Sequence, residues 1–236
     1  FVNQRVKNLS LTTALLNAMG VGKGKVISLV DKFRFPKLGV GRISENLAKR
    51  IKTNGGMINL GEEVVEIKSL KSGYLVKTNK SNYETKEIIN SMPVDQFLKC
   101  FDKDIYKNIE KETQKLSYVH QKIVVLFVKA KKLTNFTWVY VHPKKIKTFR
   151  FLETNNWSTL MSPAGYTSLV FEYPYHVGDE IDKMSEKDLI ETTKSDFLKY
   201  FAPKKLKRSK IIDTKVYYVP CAYPKYDFKY KKVINK

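Results

Sequence analysis

Residues 35–68 read FPKLGVGRISENLAKRIKTNGGMINLGEEVVEIK. Pro36, Gly39 and Gly41 form a turn. Leu47, Ala48 and Ile51 then give a helix an apolar face, with Ser44 as the expected N-cap and Glu45 in its first turn. Gly55 and Gly56 stop the helix. Residues 57–68 alternate as a strand does. A dinucleotide fingerprint would need GxGxxG directly after a strand and opening a helix. Here GVGRIS lacks the third glycine, and Pro36 in the short FRFP before it cannot donate to a ladder. The earlier GVGKGK also fails the spacing, and no GK[ST] follows either run. The turn is not the pyrophosphate site of a self-contained nucleotide-binding unit.

Outward from this stretch, NLSLTTALLNAM (8–19) has helical spacing through Leu11, Ala14, Leu15 and Ala18. GYLVKTN (73–79) and YETKEIIN (83–90) are expected strands joined by KSNY. SMPVDQFLKCF begins a helix, since Pro93 is tolerated in a first turn. From residue 117 the texture becomes β-rich. YVHQKIVVLFVKA, FTWVYVH, KTFRFLET, SLVFEYPY and KIIDTKVYYV are strand candidates. One helix interrupts them: Ser185 caps SEKDLIETTKSDFLKYF with Asp188 as its capping-box partner, and Leu189, Phe197, Leu198 and Phe201 share a face. The expected fold is α+β, a mostly antiparallel sheet over 117–219 covered by the 185–201 helix.

The 236 residues hold 44 Lys and Arg against 23 Asp and Glu, a net charge of +21. Such a surface attracts polyanions, including nucleic acid, acidic membranes and phosphorylated substrates, although a dispersed solvated lysine surface reads the same way. Cys100 and Cys221 form no CxxC pair, which suits a reducing, cytoplasmic compartment. His120, His142 and His176 lack metal-ligand spacing, so no metal site is expected. No Ser-His-Asp or Cys-His arrangement is apparent. The carboxylate pairs Glu62 with Glu63 and Asp179 with Glu180 fall in expected turns and read as solvated. With Phe1 at one end and KKVINK at the other, the chain reads as a piece of a longer protein.

The ordered set QRVKNLSL (4–11), FRFPKLGVG (33–41), INLGEEVVEI (58–67), IINSMP (88–93), WVYVH (138–142), FRFLETNNW (149–157), VFEYPY (170–175) and AYPKYD (222–227) resembles flavin-dependent amine-oxidase-type enzymes. The nearer likeness is to the branch of UDP-galactopyranose mutases and protoporphyrinogen-oxidase-like proteins. The resemblance implies a fragment of an FAD-dependent oxidoreductase, with a mutase acting on a sugar nucleotide as the alternative. It implies a helical lead-in over 1–35, an internal block of the FAD-binding region over 36–94 and a substrate-binding sheet over 95–236. By match, Gly39 and Gly41 lie by the flavin and Val64 offers its backbone to the adenine; on the sequence alone Val64 reads more readily as a core strand valine. Two departures matter. The N-terminal fingerprint and the C-terminal flavin-contacting block of such enzymes have no counterpart here, so the isolated chain is expected to bind FAD poorly and to be inactive.

Arg150 is the substrate-side candidate. Alternation places Thr148, Arg150 and Leu152 on one face of a strand and Phe149 and Phe151 on the other. Its planar fork suits phosphate, and in the mutases a similar Arg-hydrophobic-hydrophobic-Glu strand meets a diphosphate. It reads equally as a strand arginine paired with Glu172. Tyr173, Tyr223 and Tyr226 are expected to line the same cavity, or else to be ordinary half-buried tyrosines. The expected partner is a small-molecule substrate, anionic or a nucleotide sugar. A nucleic-acid-binding module is the competing class: tyrosines interleave with lysines in VYYVPCAYPKYDFKYKK, but the lysines are dispersed and no RNA-binding signature occurs. Peripheral membrane contact through the basic surface is compatible with the flavoenzyme reading.

Overall fold

The computed structural model describes residues 34–142, 145–204 and 206–225, with side chains at 103–105, 108 and 109 left aside. The expected helix over 8–19 and Tyr226 lie outside these residues. Contacts divide the chain after Pro36, and the helices and strands below all belong to the unit 37–236.

Helix α1 (Gly41–Thr53) starts three residues before the expected cap. Gly39 is the reason. Its φ of 90° turns the chain early, and the amide of Arg42 already donates to its carbonyl at 3.2 Å. Val40 caps the helix without a side-chain bond; Ser44 is instead inside the first turn. The helix ends as its glycines dictate. Gly55, at φ 80°, donates to Lys52 at 3.1 Å and Gly56 to Ile51 at 2.9 Å, the paired bonds of a Schellman motif. The expected apolar stripe is present, but Leu47 and Ile51 stay exposed and no residue of α1 is buried.

Strands β1 (Val64–Leu70), β2 (Gly73–Thr78) and β3 (Asn82–Thr85) make a sheet in that order, with β1 on one edge. β1 begins later than expected, after Gly61 has bent the chain at φ 69°. β3 ends at Thr85 rather than at residue 90. The reason is its partner: β2 starts at Gly73, so no residue of β2 remains opposite residues 87–90. Helices α2 (Val94–Lys99) and α3 (Lys103–Thr113) follow.

The second sheet contains β4 (Tyr118–Val128), β5 (Trp138–Tyr140), β6 (Arg150–Glu153), β7 (Thr167–Tyr175) and β8 (Ile211–Pro224). Its order is β5-β6-β7-β4-β8, and each neighbouring pair is antiparallel. Short α4 (Glu180–Lys183) precedes α5 (Glu186–Asp196), which runs into a π turn at Phe197–Phe201. Ser185 caps α5 as expected: its Oγ accepts from the Asp188 amide at 3.1 Å and donates to the Asp188 carboxylate at 2.7 Å.

Strand alternation gives this sheet one dry face. Val124, Leu126 and Val128 of β4, Phe151 of β6 and Leu169, Phe171 and Tyr173 of β7 pack under Leu189 and Phe197. Phe151 stacks on Phe171 with centroids 5.2 Å apart, and Phe197 meets Phe171 edge-on at 5.8 Å. Lys122 points to the same side. Its ammonium donates to the carbonyls of Ile181, Asp182 and Met184 at 2.8, 2.9 and 3.1 Å, which satisfies both the buried charge and the end of α4. The opposite face of the sheet carries no covering helix among the described residues.

Candidate functional site

Register sets the open face. Arg150 stands opposite Glu172 on β7, Glu172 opposite Ile123 on β4, and Ile123 opposite Tyr217 on β8. Phe151 points the other way, into the core, as alternation requires. Arg150 Nη2 donates to both oxygens of Glu172 at 2.7 Å. Gln121 holds Glu172 from the other side, its Nε2 donating at 2.7 Å. The guanidinium also lies over the Tyr140 ring, 5.6 Å from its centroid. Burial works against the Arg150 charge, and Glu172 with the Tyr140 hydroxyl more than restores it, so its pKa lies above the ordinary arginine value.

Two expectations about this strand need correcting. Phe149 is half-exposed and meets the Tyr140 ring edge-on at 5.4 Å rather than joining the core. Thr148, expected beside Arg150, is buried, its hydroxyl bonded at 3.1 Å to the Glu172 carbonyl. Both lie ahead of β6, which begins at Arg150, so strand alternation does not reach them.

Tyr173 cannot share a cavity with Arg150. It is fully buried on the helix-covered face, its hydroxyl 2.7 Å from that of Thr193. Glu172 and Tyr173 are neighbours in β7, and a strand sends neighbours to opposite faces. Tyr223 is on the open face, exposed and opposite Val119, but it lies at the far end of β8 from the Arg150 row. A bulge intervenes. Three residues of β8 lie opposite the single residue His120, and Cys221 within it adopts φ 51°. His120 Nδ1 accepts the Cys221 amide at 3.2 Å and holds the bulge. The tyrosines in the Arg150 row are Tyr140, opposite Arg150, and Tyr217 at its β8 end. Tyr140, Tyr217 and Gln121 carry no sequence signal of their own, because only the pairing register brings them to Arg150. At the β5 edge Trp138 stacks on Trp157 with centroids 5.2 Å apart.

The second feature is a cleft of about 600 Å³ on the outer edge of β1, lined by Glu62, Glu63, Val64, Pro93, Gln96 and Cys100, among others. β2 pairs with one side of β1. On the other side the Ile67 amide donates to the Cys100 carbonyl at 2.7 Å, in a bridge to Phe101, and the Cys100 thiol lies 3.6 Å from the Val64 carbonyl and 3.4 Å from that of Gln96. Burial, aided by Glu63, pushes the Cys100 pKa up, so the group stays a donor. Glu62 is not merely solvated: it accepts the hydroxyls of Thr78 at 2.8 Å and Tyr83 at 2.9 Å, tying the cleft rim to the β2–β3 hairpin. Gly39 is needed for its left-handed φ, and a Cβ there would lie 3.3 Å from the Met161 methyl. Gly41 has open space around it and no unusual φ.

No family model matches the chain, and no curated protein matches it. Solved structures do. A reduced UDP-galactopyranose mutase superposes at TM-score 0.73 with 18% identity, covering 86% of this chain and 43% of its own. A protoporphyrinogen-oxidase-like protein of Exiguobacterium sp. 255-15 gives TM-score 0.64 with 13% identity over 84% of this chain and 42% of its own. A putrescine oxidase variant gives TM-score 0.55 with 14% identity over 75% and 38%. All three have the FAD amine-oxidase-type fold, and the chain has the fold of part of it. It spans 43% or less of the length of each of these structures. These likenesses give the nucleic-acid reading no support. Among the described residues no helix is long and apolar enough to cross a membrane.

Proposed function

We propose that the chain is the substrate-side sheet and one wall of the cofactor cleft of an FAD-dependent oxidoreductase. The observation that carries this reading is the cleft on the outer edge of β1, where the Val64 carbonyl faces outward beside the Ser91–Pro93 loop, met by the Cys100 thiol and by no strand. A carbonyl outside the ladder at such an edge suits a flat heterocycle such as adenine. Val64 and that loop would hold the adenine end. Gly39 and Gly41, at the turn before α1, would lie nearer the flavin ring. Bound FAD supplies the hydride acceptor, and the protein supplies orientation and electrostatics. On the open face Arg150 receives the anionic part of a substrate, with the Tyr140 ring against its guanidinium and Tyr217 further along the row. In this reading the cofactor-side block ends near residue 94 and the substrate-side sheet follows. The free state of both thiols suits a cytoplasmic protein.

A sugar-nucleotide mutase is the second reading. The superposition on UDP-galactopyranose mutase and the run Arg150, Phe151, Leu152, Glu153 support it.

The isolated 236-residue chain is expected to purify colourless and without oxidase activity, because its cleft supplies one side of a cofactor site. A larger protein carrying it together with a dinucleotide-binding segment is expected to hold one FAD per chain. Stoichiometric flavin in the isolated chain would contradict the incomplete site. A folded larger protein that stays flavin-free in excess FAD would overturn the flavoenzyme reading.

A further inference from the structure

Arg150 is the cation of its row on the open face, and its charge is already partly spent. Both carboxylate oxygens of Glu172 sit on Nη2 at 2.7 Å. Glu172 cannot swing away to make room for a ligand: it is 8% exposed and is held on its other side by Gln121 at 2.7 Å. Yet the guanidinium retains donor capacity at Nη1, whose contact to the Tyr140 hydroxyl is long at 3.4 Å, whereas Nε is buried and without a partner. An incoming anion must therefore join the Arg150–Glu172 pair rather than replace Glu172.

We propose that Glu172 is a specificity-determining residue that makes the Arg150 site take a monoanionic group, such as a carboxylate on a flat apolar body, with little gain from a second negative charge. The proposal rests on the open face being the ligand site, as above. Coulomb energies fall only as the inverse of distance, so a carboxylate one hydrogen bond further from the ligand than the guanidinium cancels roughly half of the attraction. The first negative charge is still repaid by direct donation from Arg150. A second charge makes no such bond and meets an almost neutral pair. The other cation placed on this face by register is Lys215, whose ammonium lies over the Tyr217 ring at 5.1 Å. It belongs to β8, three strand spacings or about 14 Å from β6, beyond the screening length of about 8 Å at physiological salt. The aromatic ring of Tyr140 supplies flat contact area beside the pair.

The experiment compares benzoate with isophthalate, the same ring bearing a second carboxylate, by calorimetry or ligand-observed NMR at physiological ionic strength. In the wild-type chain isophthalate is expected to bind no more than about threefold tighter than benzoate. In Glu172→Gln, which removes the charge and keeps the shape, the preference for isophthalate is expected to rise to at least about tenfold. Arg150→Ala is expected to lose both ligands. A wild-type preference for isophthalate of tenfold or more overturns the proposal without reference to any variant. So does an unchanged ratio in a folded Glu172→Gln protein while Arg150→Ala still abolishes binding, and that outcome leaves the open face standing as a ligand site. If neither ligand responds to Arg150→Ala, or neither binds at all, both the proposal and the assignment of the open face fall.

Discussion

Glu153→Ala is expected to destabilise the chain by about 3–5 kcal/mol, because it leaves several buried donors unpaired at once. Glu153 is fully buried at the end of β6. Its carboxylate accepts the amides of Leu133 and Thr134 at 2.8 and 2.7 Å and the hydroxyls of Thr134 and Thr167 at 2.7 and 2.9 Å. Truncation strands these buried donors, each worth about 1–3 kcal/mol when left unpaired, and opens a void. Glu153→Gln keeps the volume but turns an amide NH2 toward groups that also donate, and about 2–3 kcal/mol is expected. Urea unfolding reads both: the midpoint should fall with the slope unchanged. A loss below about 1 kcal/mol for the alanine variant would show that the 131–137 loop repairs itself with water.

Arg150→Ala in the flavin-loaded protein is expected to weaken binding of an anionic substrate at least tenfold, about 1.4 kcal/mol or more, with flavin content unchanged. The separation of the two readouts is geometric. Arg150 projects from the open face, whereas the adenine-side cleft lies along β1 of the other sheet. The variant should also lose stability, about 2–4 kcal/mol, because Glu172 is left buried with only Gln121 as a partner. Adding Glu172→Gln should return much of that stability without restoring binding. A double-mutant cycle on unfolding and on ligand affinity therefore separates the structural from the binding contribution. Binding that survives Arg150→Ala would make Arg150 a structural strand residue.

Much of the fold was legible because its signals are local. The Ser185 cap with Asp188, the Gly55–Gly56 stop and the alternation of β4 and β7 each express one principle acting within a few residues. Strand ends were less legible, since β3 stops where β2 runs out of partner residues, a fact of pairing rather than of sequence. The same gap explains the site. Alternation correctly sends Arg150 away from Phe151, and Glu172 was foreseen as its alternative partner. Alternation also implies that Tyr173, next to Glu172, must face the core; the EYP run points the other way, and parity within β7 overrides it. Tyr217 and Gln121 needed register. Glu153 carried no sequence signal, because its donors come from a loop some twenty residues away.

The central claim is that the cleft on the outer edge of β1 is a cofactor wall and that the open face of the larger sheet is not. Titrating FAD into the isotope-labelled chain and following backbone amides tests it most directly. Weak binding is expected to shift the amides of Glu62–Val64, Ser91–Met92 and Gln96–Cys100, the cleft residues, and to leave β5–β8 unmoved except at the Cys221 bulge, where Gln96 touches the thiol at 3.7 Å. Shifts confined to the Arg150 row, or none at saturating FAD, would contradict it.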